Sequence, residues 1–68
     1  MGTTLNIWYE NIGLLAMLCG KEGIKWTAHM AAKDCDGDTI YTFHMDRQLS
    51  RKSQLEYQEK RLRKEEYV

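Results

Sequence analysis

The chain contains no proline, a single phenylalanine and only two cysteines, Cys19 and Cys35. Without proline, no position is forced out of a helix or a strand ladder by a missing backbone donor. Two cysteines are too few for the disulfide framework of a small secreted domain, so two reduced thiols in a cytoplasmic protein are expected. A single Cys19–Cys35 bridge is the alternative. Long apolar runs are also missing. The longest, Ile12 to Cys19, is eight residues and is interrupted by Gly13, whereas a membrane span needs about 20. A basic leader is absent because Lys21 is the first positive charge. Asn6 stands where a myristoylation start after Met1-Gly2 wants Ser or Thr. No glycine-rich phosphate loop, nucleophile elbow or usefully spaced Cys/His pair occurs, and neither an enzyme nor a cofactor is expected.

What is present is globular. Hydrophobic residues make up 43% of 68, with two Trp, four Tyr and four Met, a composition that favours folding over disorder. That length allows one domain, 1–68, and a chain starting at Met1 is expected to be a complete small protein. Domains this short bury a modest fraction of their surface and often need a staple, which here points to a homodimer.

Net charge is zero but unevenly spread. Residues 1–46 carry three bases against six acids, and residues 47–68 carry seven bases against four. The body is acidic by three charges and the tail basic by three, an asymmetry that guides partners rather than folding.

Three pieces follow along the chain. In Thr4 to Cys19, Leu5, Trp8, Ile12, Leu15 and Cys19 recur at steps of three and four and line one helical face. Thr3 or Thr4 would cap such a helix and Gly20 would end it. Leu5, Ile7 and Tyr9 also alternate, so the rival reading is a strand over 4–10 followed by a shorter helix. We read helix.

The second piece is a β-hairpin, strands about 24–33 and 39–46, turning at Asp36-Gly37 with both residues at positive φ. Trp26, Ala28 and Met30 alternate with polar residues, as do Tyr41, Phe43 and Met45. A two-residue turn sets Ala32 opposite Tyr41, Met30 opposite Phe43 and Ala28 opposite Met45, all apolar and on one side. His29 then faces His44 on the other.

The third piece, Arg47 to about Tyr67, reads as a polar helix capped by Asp46 or Ser50. Glu56/Lys60 and Glu59/Arg63 are favourable i,i+4 pairs, and Leu49, Leu55 and Leu62 form a thin apolar stripe. The last few residues are expected to be disordered. The fold class is therefore α+β, an α-β-β-α domain. Its compact core is 1–46, its charged helix is 47–68, and its hairpin is covered by the first helix with the 24–33 strand left as an open edge.

His29 and His44, directly opposite, could share a metal with Asp46, but a zinc site needs a fuller ligand set and two solvent-facing histidines are the simpler reading. Asp34, Asp36 and Asp38 resemble the start of a calcium loop, yet Thr39 and Met45 stand where that loop wants Gly and Glu. A turn explains them better.

The expected function is a small non-enzymatic protein-interaction module, an inhibitor or adaptor that works by occlusion and is associated by size with phage- and plasmid-borne proteins. Trp8, Tyr9, Trp26 and Tyr41 are its candidate aromatic anchors, and Asp34, Asp36 and Asp38 would steer a partner with a basic surface. The alternative is a nucleic-acid-binding regulator using Arg47, Arg51, Lys52, Lys60, Arg61, Arg63 and Lys64, although interleaved glutamates compensate much of that charge.

Overall fold

A computed structural model describes residues 2–64. The domain is α+β, with order β1 (Thr3–Trp8), a 3-10 turn (Tyr9–Asn11), α1 (Ile12–Lys21), β2 (Trp26–Lys33), β3 (Thr39–Met45) and α2 (Arg51–Lys60). The strands form one antiparallel sheet in the order β1-β3-β2.

The expected helix over Thr4–Cys19 is corrected at its first half, where the rival reading holds. Residues 3–8 pair with β3, so that Leu5 faces Phe43 and Ile7 faces Tyr41. The alternation of Leu5 and Ile7 wins because β3 supplies a ladder and an apolar face that an isolated helix turn could not match. Thr3 and Thr4 are therefore strand residues rather than caps. The helix also ends later than Gly20. The Ile24 N–H donates to the Cys19 carbonyl (2.9 Å) and the Gly23 N–H to that of Gly20 (3.3 Å). This is a Schellman stop, and Gly23, at φ 68°, is the residue that takes its left-handed position.

The hairpin stands, with a different register. Trp26 faces Met45, Ala28 faces Phe43 and Met30 faces Tyr41, two residues away from the expected pairing. A shift of two preserves the faces, so Trp26, Ala28 and Met30 still share a side with Tyr41, Phe43 and Met45. Two irregularities cause it. The turn is centred on Cys35-Asp36, closed by the Gly37 N–H donating to the Asp34 carbonyl (3.1 Å), and only Gly37 has positive φ (84°). This is the three-residue loop in which a glycine follows a type I turn. A bulge between Met30 and Ala32 then absorbs one more residue.

One sheet face is covered, and the other is wet except at its Trp8/Ile40 end, where both residues are buried. Ile7, Phe43 and Met45 pack with Leu15, Leu18 and Cys19 of α1, with Ile24 and Leu49 from the connections, and with Tyr57 of α2. The opposite face carries polar cross-strand pairs, Thr4 Oγ1 with His44 Nδ1 (2.9 Å) and Thr42 Oγ1 donating to Asn6 Oδ1 (3.1 Å).

The last helix is shorter than expected, and its proposed continuation to Tyr67 is corrected at Arg61. Residues 65–68, where disorder was expected, lie outside the described residues. Its buried side is not the Leu49/Leu55/Leu62 stripe. Leu55 and Leu62 are exposed, while Leu49, Ser53 and Tyr57 are buried. A serine belongs there because Glu22 receives its hydroxyl. Glu56 and Lys60 pair as expected (3.5 Å), whereas Arg63 reaches Asp38 and Glu10.

Candidate functional site

Three regions gather the residues singled out by sequence. The first is the outer edge of β2. Seven of its eight residues are exposed and Ala28 is half-buried, because α1 and α2 lie over the rest of the sheet. Trp26 stacks on Phe43 with ring centres 4.9 Å apart and planes 13° apart, yet it remains 40% exposed, and Met30 is 62% exposed. Met30 lies opposite Tyr41, whose ring meets Tyr9 at 5.6 Å. Trp26, Met30, Tyr41 and Tyr9 thus run along the edge and one end of the covered face.

The backbone of that edge can be oriented. The Asp46 N–H donates to the Lys25 carbonyl (3.0 Å). In an antiparallel ladder of this register, 27/44 and 29/42 then exchange hydrogen bonds as well. Trp26, Ala28 and Met30 turn their N–H and C=O groups outward.

The second region joins the hairpin loop to the end of β1. Asp34 Oδ1 accepts from the N–H groups of Asp36 and Asp38 (both 2.9 Å), which shapes the loop. Trp8, expected as an anchor, is buried, and the Arg63 guanidinium lies 3.5 Å above its ring. Arg63 Nη1 is 2.6 Å from Asp38 Oδ2 and 3.7 Å from Glu10 Oε2, and Nη2 is 3.9 Å from Asp34 Oδ2. Asp36 is exposed in the loop. Two residues assigned to opposite readings, an acidic tip and a basic tail, therefore meet within one chain. Neither Arg63 nor Asn11, which grips its backbone, carried a signal for this contact, since 52 residues separate them.

The third region ties the end of α1 to the start of α2. Glu22 Oε1 accepts from the Ser50 N–H (3.0 Å), and Oε2 accepts from the Ser50 hydroxyl (2.7 Å) and the Ser53 hydroxyl. Ser50 Oγ in turn caps α2 by accepting from the Ser53 N–H (3.3 Å). A carboxylate at a helix N-terminus is favoured by the helix dipole. The Ser50 and Ser53 side chains, then the Ser50 backbone, lower the Glu22 carboxyl from its ordinary 4.5 to about 2. A carboxyl held low in the folded chain contributes stability that is complete above 4.5 and is lost as pH falls through about 2. Thermal midpoints recorded between these two values should fall for the wild-type chain and fall less for Glu22→Gln. Parallel curves for the two chains would mean that Glu22 is not held low.

Between β1 and α2 lies a groove of about 330 Å³, with Leu5, Ile7, Leu49 and Tyr57 on its apolar side and Gln58 and Arg61 at its polar rim. Tyr57 is pushed up by burial, against the pull of Arg61 and a hydrogen bond with Asn11.

The remaining expected residues are dispersed. His29 faces Thr42 and His44 faces Thr27, so the two histidines are diagonal neighbours rather than opposite, a correction that follows from the register. Among the described residues, no three His, Cys, Asp or Glu side chains gather where a metal could be held, Asp46 included. Cys35 is exposed in the hairpin loop, and Cys19 is buried, its thiol raised by burial and then by Glu22 and Asp46. Arg47 donates to the Glu22 carbonyl (2.6 Å), Arg61 lies over Tyr57, and Arg51, Lys52 and Lys64 are exposed. Among the described residues, no helix is long and apolar enough to cross a membrane.

No protein-family model, curated protein or solved structure matches the chain.

Proposed function

We propose that the chain is a small non-enzymatic protein-binding module that lays the outer edge of β2 against an extended segment of another protein, acting as an inhibitor or adaptor by occupying that segment. The observation that carries this reading is β2 itself. Its length of eight residues, its exposure and its apolar stripe from Trp26 to Met30 supply both parts of strand addition. Outward N–H and C=O groups give affinity, and alternate side chains give selectivity. Monomeric domains usually blunt such an edge with charge, proline or a cover. Here Lys33 lies at one end, and the middle of the strand is Thr27-Ala28-His29-Met30. Trp26, Tyr9 and Tyr41 are the aromatic anchors of this surface, and a second copy of the chain is one segment it could take.

The nucleic-acid reading gains less. Arg63 sits among carboxylates and Lys60 pairs with Glu56, so two of the seven bases assigned to phosphate are compensated by acids of the same chain.

The test is affinity capture from an extract of the source cell, with and without nuclease, using the wild-type chain and Met30→Lys. Met30 is exposed, so the variant should fold with an unchanged melting midpoint. The expected result is a captured protein that survives nuclease and falls at least tenfold with Met30→Lys, the size of effect a central interface contact has. Capture that nuclease abolishes, or that Met30→Lys leaves unchanged, overturns the reading.

A further inference from the structure

α2 ends at Lys60, and Arg61, at φ −59° and ψ 140°, turns the chain out of the helix. The next residues return to the hairpin-loop end of the sheet without joining a strand. Leu62 is 80% exposed, so this short strap buries little apolar surface. Among the described residues, Arg61 Nε is buried with no hydrogen-bond partner, an unmet donor that docking the strap leaves in place. What holds the strap is residue 63. Asn11 Nδ2 donates to the Arg63 carbonyl (2.8 Å), and the Arg63 N–H donates to Asn11 Oδ1 (3.0 Å). The guanidinium lies on the Trp8 indole and is faced by Asp38, Glu10 and Asp34.

These contacts suffice for reading one arginine in an extended peptide. One side-chain amide takes both main-chain groups of the residue, an aromatic face takes the flat cation, and carboxylates take its N–H groups. Stacking and fork geometry favour arginine over lysine. With the strap in place Asn11 is 2% exposed and Trp8 is 6% exposed, and they belong to the 3-10 turn and to β1 rather than to the strap. The contacts require an arginine in an extended segment, and nothing in them requires that the segment be tethered.

We propose that Trp8, Glu10, Asn11, Asp34 and Asp38 form an arginine-recognition site, that residues 61–64 fill it as a tethered stand-in, and that an arginine-bearing extended segment of the partner enters by displacing them. The inference rests on the protein-binding reading and supplies the partner's chemistry. It also supplies a threshold. A tethered competitor acts at an effective concentration in the millimolar range, so only a segment that adds contacts elsewhere displaces it.

The test titrates the full-length chain and its full-length Arg63→Ala variant with a synthetic peptide spanning residues 60–66 of this sequence, followed by calorimetry. The Arg63→Ala chain should bind the peptide at least tenfold more tightly than the wild type, and the same peptide carrying Arg63→Lys should bind that variant at least fivefold more weakly. Circular dichroism checks folding. If Arg63→Ala does not fold, an Arg63→Lys chain, which keeps the charge, carries the comparison and should still bind more tightly than wild type. Equal affinity of the wild-type and variant chains, no binding to either, or indifference to lysine in the peptide overturns the proposal. Those results leave the β2 reading standing if Met30→Lys still abolishes capture, so the two can fail separately.

Discussion

Phe43→Ala should remove a large share of the domain's folding stability. Phe43 is fully buried in the central strand, faced by Leu5 on one side and Ala28 on the other, with Trp26 stacked on its ring. Truncating a buried phenylalanine costs about 3–5 kcal/mol, because transfer energy is lost and a cavity remains. A domain of this size has about 3–10 kcal/mol of stability in all. The loss is large here for a second reason. Phe43 is the chain's single phenylalanine, and its neighbours across the ladder, Leu5 and Ala28, are smaller. Urea titration followed by circular dichroism gives the comparison. A midpoint shift worth less than about 1 kcal/mol, the ordinary effect of a point mutation, would show that the ring is not what the helices pack on.

The second large effect is expected at Asn11. Its side chain satisfies both main-chain groups of residue 63, so one buried amide joins the start of α1 to the strap. Asn11→Ala should lower stability by about 1–3 kcal/mol, the cost of leaving buried polar partners unmet. It should also couple to Arg63. In a double-mutant cycle with Arg63→Ala, the two losses should fall short of additivity by at least about 0.5 kcal/mol, because either change releases the same segment. Strict additivity would mean that Asn11 acts on its own turn and not through residue 63.

The parts of this fold that could be read from sequence are those whose signal lies within a few residues. The alternation of Trp26, Ala28 and Met30 against Tyr41, Phe43 and Met45 placed these residues on one face, and they share it. The pairing within that face was not legible in the same way. Asp34-Cys35-Asp36-Gly37 fits a type I turn with glycine at its end as readily as it fits an Asp-Gly centre, and the bulge near Ala31 has no local marker. Strand β1 was hidden because Leu5 and Ile7 suit a helix face too, and the strand that decides between them lies about 36 residues further on. The buried side of α2 was misread for a related reason. A search for apolar spacing passes over Ser53, which is inside because Glu22 from the end of α1 reaches it. Part of the arginine site was visible as an acidic loop, and its occupant as a basic tail. Only the fold shows that they meet.

The placement of β3 in the middle of the sheet has a consequence for how the chain comes together. β1 and β2 touch β3 and not each other, so the first 38 residues contain two ribbons with no common seam. As the polypeptide emerges from N- to C-terminus, Leu5 and Ile7 wait unmatched until Tyr41 and Phe43 have appeared. Assembly is thus gated by the last strand, and a nascent chain halted before it has helix α1 to form but no sheet to close.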